Sequence, residues 1–215
     1  MSSYTIPYVT VRHGNNSQQT LDIYSSLLTE RIIYLGTPLD DGVANALIAQ
    51  LLHLESTSPS LPIDLYINSP GGSISAMLAV YDAMQYVTSP VRTTCIGQAT
   101  FTAAVLLAGG ERGARSILPR GRVVLHQPTI DTGRGTIPDL ILEADEVERI
   151  TALLDELLAR HTGKTVEDIR RDTDRNLVLD AGQAVRYGVV DHVVEYRKTD
   201  QLEERRSGGE ADGGR

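Results

Sequence analysis

Cys95-Ile96-Gly97-Gln98-Ala99-Thr100-Phe101-Thr102-Ala103-Ala104 reads as the end of a buried strand, a glycine turn and the start of a helix. A side chain on such a turn stands free at a helix N-terminus, close to backbone N–H groups that can stabilise an oxyanion. It is a natural seat for a nucleophile. Here the seat holds Phe101, the only phenylalanine in the chain, and a phenyl ring has no nucleophilic chemistry. Read from the residues alone, the ring fills core.

The same strand–turn–helix grammar extends in both directions. On the N-terminal side, Arg31–Leu35 reads as a strand. Asp40-Asp41 caps a helix over 42–55, with Val43, Leu47, Ile48, Leu51, Leu52 and Leu54 at helical spacing. Pro59 and Pro62 end it before a strand at Ile63–Ile67. The loop Asn68-Ser69-Pro70-Gly71-Gly72 leads into a helix from Ser73 to about Tyr86, and Val91–Ile96 is the next strand. On the C-terminal side, a helix from Thr100 to Ala108 is stopped by Gly109-Gly110. Arg122–Leu125 is a strand that runs into His126-Gln127-Pro128, and 129–136 is a polar loop. The longest helix spans about 138–161 and carries an apolar stripe through Leu140, Ile141, Ala144, Val147, Ile150, Leu153, Leu154 and Leu157. Shorter helices over 165–172 and 180–187 precede a closing strand at 189–196. Near the N-terminus, Tyr8–Arg12 and Gln18–Thr20 flank a Gly14-Asn15-Asn16 turn and suggest a hairpin, and 21–28 reads as a short helix. Short apolar strands alternating with helices predict an α/β fold with a largely parallel, helix-covered sheet.

Composition narrows the function classes. The chain has 215 residues, 41% hydrophobic and 22% charged, with a net charge of −8. That is ordinary for one globular domain with a sizeable core. An acidic chain without a basic run argues against nucleic acid or an anionic membrane as partner. No apolar stretch has transmembrane length, and Met1-Ser2-Ser3-Tyr4 lacks the basic and apolar regions of a signal peptide, so the expected compartment is the cytoplasm. The single Cys95 excludes an internal disulfide and a cysteine metal cluster. It reads as a small core residue, and no cofactor or metal is expected. From Arg197 onward, mixed charge and four glycines predict a disordered tail.

From about Tyr8 to Val194 the chain resembles ClpP, the proteolytic subunit family of the ATP-dependent Clp protease. The resemblance rests on segments in order: Leu21–Leu28 (LDIYSSLL), Tyr66–Gly72 (YINSPGG), Tyr81–Gln85 (YDAMQ), Cys95–Ala99 (CIGQA), Val124–Pro128 (VLHQP), His161–Gly163 (HTG), Arg171–Arg175 (RDTDR) and Tyr187–Asp191 (YGVVD). It implies a crotonase-like fold of repeated ββα units with a protruding helix-strand handle, here about 127–161. It divides the chain into an axial N-terminal segment (1–20), the ClpP-like domain (21–196) and the tail (197–215). Members are serine peptidases with a Ser-His-Asp triad. They stack as two heptameric rings around a chamber, and a hexameric AAA+ ATPase feeds them unfolded protein.

Carried over position by position, the resemblance places the family's serine at Phe101, its histidine at His126 and its aspartate at Asn176. A triad needs a hydroxyl, an imidazole to take its proton and a carboxylate to hold the imidazole. An amide in place of that carboxylate costs about 10⁴ in kcat in trypsin-type triads, and at Phe101 no hydroxyl remains. The implied oxyanion donors are the N–H groups of Gly72 and Thr102, which side-chain changes leave in place. His126 is therefore either a retained triad imidazole or a hydrogen-bonded histidine at a strand end. Gly71-Gly72 is either an ordinary turn or a backbone that lies beside a peptide. The family's ATPase-docking pocket keeps aromatic residues at Tyr66 and Tyr86 but holds Asp64, Thr94 and Ser116 where relatives carry apolar ones. An unpaired carboxylate there costs several kcal/mol to desolvate. Arg175 matches an arginine used between rings. The expectation is a catalytically inactive subunit that pairs with an active paralogue forming a second heptameric ring, with a ClpX-, ClpC- or ClpA-type unfoldase reaching protein substrates through the partner ring. The alternatives are a serine endopeptidase with an unorthodox site at Thr100, Thr102, Ser69 or Ser73, a crotonase-fold acyl-CoA enzyme, and a scaffold without a protease partner. The handle and the 68–72 and 171–175 segments favour the Clp family over the acyl-CoA enzymes.

Overall fold

Short polar side chains placed just before apolar helical runs set most of the helix boundaries. A computed structural model describes residues 6–12, 18–128 and 136–195. Its elements are β1 (Tyr8–Arg12), β2 (Gln18–Asp22), α1 (Ile23–Thr29), β3 (Ile32–Leu35), α2 (Asp41–Thr57), β4 (Ile63–Ser69), α3 (Ile74–Tyr86), β5 (Val91–Thr100) and α4 (Thr102–Ala108). They continue with β6 (Arg115–Ile117), β7 (Arg122–Leu125), α5 (Ile137–Thr162), α6 (Val166–Thr173), β8 (Leu177–Asp180), α7 (Ala181–Tyr187) and β9 (His192–Val193). Asp22, Asp40, Ser73, Thr165 and Asp180 each accept a hydrogen bond from a first-turn amide. Each thereby satisfies a donor the helix itself cannot.

The main sheet runs β3-β4-β5-β6-β9, all parallel. The far end of β5 (Gln98–Thr100) pairs instead with β7, and β8 lies antiparallel to β7. Alternation assigns the faces. Ile63, Leu65 and Ile67 of β4 are buried in the core with Met77, Val80 and Met84 of α3 and all of α4. Asp64, Tyr66 and Asn68 point to the other face. The mixed α/β architecture with a mainly parallel sheet is the one the alternation of strands and helices predicts.

Several boundaries differ from those the sequence suggests. The helix expected from residue 21 starts at Ile23, because Leu21 and Asp22 pair with Val9 and Tyr8 in the β1–β2 hairpin. That strand runs two residues past the boundary drawn at residue 20. The helix expected from Thr100 starts at Thr102, one residue after a sharp bend at Phe101. Two strands escaped the sequence reading: β6, three residues long, and β8, whose partner β7 precedes it by a long excursion. The closing strand is confined to His192–Val193. The amide of Val189 turns back to cap α7 on the Ala184 carbonyl (3.1 Å) rather than joining the sheet. The expected Gly14-Asn15-Asn16 turn, the polar segment 129–135 and the tail from 197 lie outside the described residues.

Candidate active site

The bend at Phe101 is left-handed, with φ 52° and ψ −111°, although the residue is not glycine. Such a conformation costs on the order of 1–2 kcal/mol and persists only where its surroundings fix it. Here they do. The Phe101 N–H donates to the Val124 carbonyl of β7 (2.8 Å), and the Phe101 carbonyl accepts from Ala104 (3.0 Å) and Val105 (3.3 Å). Every residue of α4 is buried behind it. The strained strand-to-helix elbow that displays a nucleophile is therefore intact around a residue that is not one.

The phenyl ring lies on His126. The ring centroids are 4.5 Å apart and the planes 15° from parallel. The cavity left between Phe101, Val105, His126, Leu154 and Leu158 is only about 10 Å³, at the lower limit for one water molecule. His126 sits at the end of β7 with Nδ1 2.8 Å from the Gln127 carbonyl oxygen. A carbonyl only accepts, so Nδ1 carries the proton and donates. Asn176 is exposed at the mouth of an open groove it shares with His126, Pro128 and Arg175. Among the described residues no hydrogen bond joins Asn176 to the imidazole. Phe101 and His126 are thus brought into contact, whereas Asn176 is near but not engaged.

The glycine loop is fixed by close backbone approach. Gly71 has φ 88°, and its carbonyl accepts from Leu39 N–H (3.0 Å), while Ser73 N–H donates to the Leu39 carbonyl (2.8 Å). The expectation of two free oxyanion donors needs correction. The Gly72 N–H donates to Thr102 Oγ1 at 2.8 Å, so one donor is already taken from within. Three of the four alternative nucleophiles are similarly occupied, while Thr100 at the end of β5 is half-buried. Ser69 is fully buried, donating to the Thr37 carbonyl and accepting from Gly71 N–H. Ser73 caps α3, and Thr102 is fully buried.

A polar network behind His126 was not anticipated. The Gln127 side chain donates to Thr173 Oγ1 (2.7 Å) and Asp155 Oδ1 (3.3 Å), and Arg170 Nε pairs with Asp155 Oδ2 (3.1 Å). It ties the end of β7 to α5 and α6. Its one sequence signal is a carboxylate, Asp155, set among Leu154, Leu157 and Leu158 on the apolar side of a helix. Burial pushes the Cys95 thiol up to about 12, which leaves it an unreactive core residue. Among the described residues no group of three or more His, Cys, Asp or Glu is placed to hold a metal, and no helix is long and apolar enough to cross a membrane.

Residues 15–197 match the family model described as Clp protease. The chain belongs to the Clp protease family. It is 56% identical over 197 residues to ATP-dependent Clp protease proteolytic subunit 1 of Nocardia farcinica, covering 92% of this chain and 100% of that one. It is 50% identical to subunit 4 of Rhodococcus jostii (90% and 99% covered) and 50% identical to subunit 2 of Streptomyces avermitilis (92% and 98% covered). The sheet and helices above are accordingly the crotonase-like fold of Clp proteolytic subunits.

The outer sheet face bears four of the five residues that the Clp resemblance assigns to ATPase docking, Asp64, Tyr66, Thr94 and Ser116. Register places Tyr34, Tyr66, Thr94, Ser116 and His192 in one row across five strands. Thr94 and Ser116 are bridged hydroxyl to hydroxyl at 2.8 Å. Asp64 is paired, which removes the desolvation cost of a lone carboxylate: Arg92, its neighbour on β5, binds it with both Nε and Nη2. Tyr86 is not part of this row. It lies 79% exposed at the end of α3, which packs on the opposite face. The Arg175 side chain is 95% exposed, and its one ion pair among the described residues is with Asp174 (3.7 Å).

Proposed function

We propose that this chain is a non-catalytic subunit of an ATP-dependent Clp-type protease, present in the cytoplasm, that forms a ring and pairs with the ring of an active paralogue. The observation that carries the reading is Phe101 on an intact elbow, stacked on His126 and filling the space a scissile carbonyl needs. Asn176 in the acid position agrees with it, because a site without a nucleophile has no use for an oriented imidazole. Residues 1–20 serve as the axial segment, 21–196 as the protease-fold domain with its handle over about 127–161, and 197–215 as a tail.

Two surfaces support a partner different from this chain. The first half of α5 leaves Ile137, Leu140, Ile141 and Leu142 exposed. Around them, residues 137–149 hold five carboxylates (Asp139, Glu143, Asp145, Glu146 and Glu148) and one base, Arg149, which is already paired with Glu146 at 2.8 Å. Two such segments facing each other repel, whereas an opposing segment with lysines or arginines is attracted. The docking face keeps Tyr34 and Tyr66, but Asp64–Arg92 and Thr94–Ser116 beside them leave an apolar ATPase loop less to bury against. The unfoldase is therefore assigned to the partner ring, together with cleavage of the protein substrates.

The test is labelling with a fluorophosphonate, alone and in the complex isolated with Clp-type paralogues. The purified chain is expected to take up no label and to cleave no fluorogenic peptide, while in the complex only the paralogue is labelled. Label on any residue of this chain would overturn the proposal.

A further inference from the structure

We infer that Thr102 is a positioning residue that keeps the oxyanion hole shut, its hydroxyl oxygen standing where a substrate oxygen would bind. The inference rests on the reading of the elbow as a catalytic relic. It adds that the relic is blocked at a second place besides Phe101.

At a strand-to-helix elbow the oxyanion donors are the N–H of the residue after the nucleophile position and an N–H from a neighbouring loop. Those groups here belong to Thr102, the first residue of α4, and to the Gly71-Gly72 turn. The turn lies directly against Thr102. A Cβ built on Gly71 would stand 3.4 Å from the Thr102 nitrogen and 3.1 Å from its hydroxyl oxygen. Thr102 Oγ1 accepts the Gly72 N–H at 2.8 Å, within the 2.7–3.1 Å at which a preorganised donor holds a developing oxyanion. Thr102 is fully buried, while Gly72 on the other side of the bond is exposed, so the bond lies at the boundary between core and solvent. The donor is therefore neither lost nor free, but saturated by an oxygen of the chain itself. A peptide carbonyl that displaced this oxygen would leave the Thr102 hydroxyl buried without its partner, a desolvation cost comparable to the bond gained.

The consequence is that restoring the triad alone leaves the site with a silent donor. In the Phe101→Ser/Asn176→Asp background, fluorophosphonate reaction forms an oxygen–phosphorus bond, expels fluoride and passes the hydroxyl proton to His126. The phosphoryl oxygen then needs the Gly72 N–H. Adding Thr102→Ala is expected to raise the second-order labelling rate by about 10²-fold, the worth of one oxyanion donor. Thr102→Ser, which keeps the hydroxyl, is expected to leave it within about threefold. Equal rates for the Ala and Ser variants would overturn the inference. A second measurement needs no chemistry: Thr102→Ala in the otherwise native chain is expected to speed hydrogen exchange of the Gly72 amide at least ~10-fold, by removing its one acceptor among the described residues. The Phe101 amide, bonded to Val124, serves as the unchanged reference. Unchanged exchange at Gly72 would equally overturn it. Labelling of the native chain would instead strike at the non-catalytic reading, so the two failures are distinguishable.

Discussion

A Cβ on Gly72 would stand 2.2 Å from the carbonyl oxygen of Leu39 and 2.7 Å from its nitrogen, both backbone atoms that cannot swing away. Gly113, by contrast, has φ 87° but nothing within 4 Å of such a Cβ. The two glycines therefore separate steric need from conformational need. Gly72→Ala is expected to destabilise by about 3–5 kcal/mol, in the exceptional range for single substitutions, and Gly113→Ala by only about 1 kcal/mol. Denaturant titration of the two variants checks this, and equal losses would show that the Leu39–Gly72 bridge gives way easily. At this scale the sequence was only partly readable. The resemblance to the family pattern assigns Phe101, His126 and Asn176 by residue type, and the stacking of Phe101 on His126 depends on the fold. The hydrogen bond from Gly72 to Thr102 and the pairing of Asp64 with Arg92 were not, because each joins residues about thirty positions apart. Whether they meet depends on strand register, which no local pattern encodes.

The 26-residue α5 shows the same division between what stabilises the fold and what remains for assembly. Its buried residues are Leu154, Asp155, Leu157 and Leu158, all in its second half. The first half, with its exposed isoleucines and leucines, makes little contact with the body. Leu154→Ala is expected to cost about 2–5 kcal/mol, as a large-to-small change in a core. The double reversal Asp145→Lys/Glu148→Lys is expected to change stability by less than about 0.5 kcal/mol while weakening association with the partner ring. Thermal unfolding and sedimentation of the mixed complex read the two effects separately, and an unaltered assembly at low salt would count against the charge argument. The apolar stripe made this helix legible from sequence over nearly its full length. The short strands β6 and β8 were illegible for the converse reason. Three or four residues carry too little alternation to register, and their position follows from contacts with β5, β7 and β9 made across long separations.

Across the whole molecule, one buried network fastens the edge of the sheet. Arg115 on β6 binds Asp191 with Nη2 at 2.6 Å and Nε at 3.0 Å, and its Nη1 reaches the carbonyls of His161 (2.9 Å) and Ala108 (3.2 Å). It so joins β6, the ends of α4 and α5, and the residue before β9. His161 in turn has Nε2 2.7 Å from the Tyr81 hydroxyl of α3. Burial, then the charges of Arg115 and Arg160, push the His161 imidazole below its ordinary 6.5. Burial pushes the Asp191 carboxyl up, but the hydrogen bonds and charge of Arg115 outweigh it and hold it at about 2, below the ordinary 3.8. Both groups bind protons more weakly folded than unfolded, so both make stability fall on acidification. His161 contributes fully above pH 6.5 and loses its contribution as the pH drops below that. Asp191 contributes fully above its unfolded value of 3.8 and loses its contribution as the pH falls toward about 2. Two separate acid steps are therefore expected in a plot of Tm against pH. Asp191→Asn should lower Tm near neutrality, by roughly 5–10 °C for a loss of about 2–3 kcal/mol, and flatten the step below pH 4. His161→Gln should flatten the upper step and leave the lower one in place. Calorimetry across that range decides it: curves for both variants that run parallel to the native one would show that these groups do not govern the acid response.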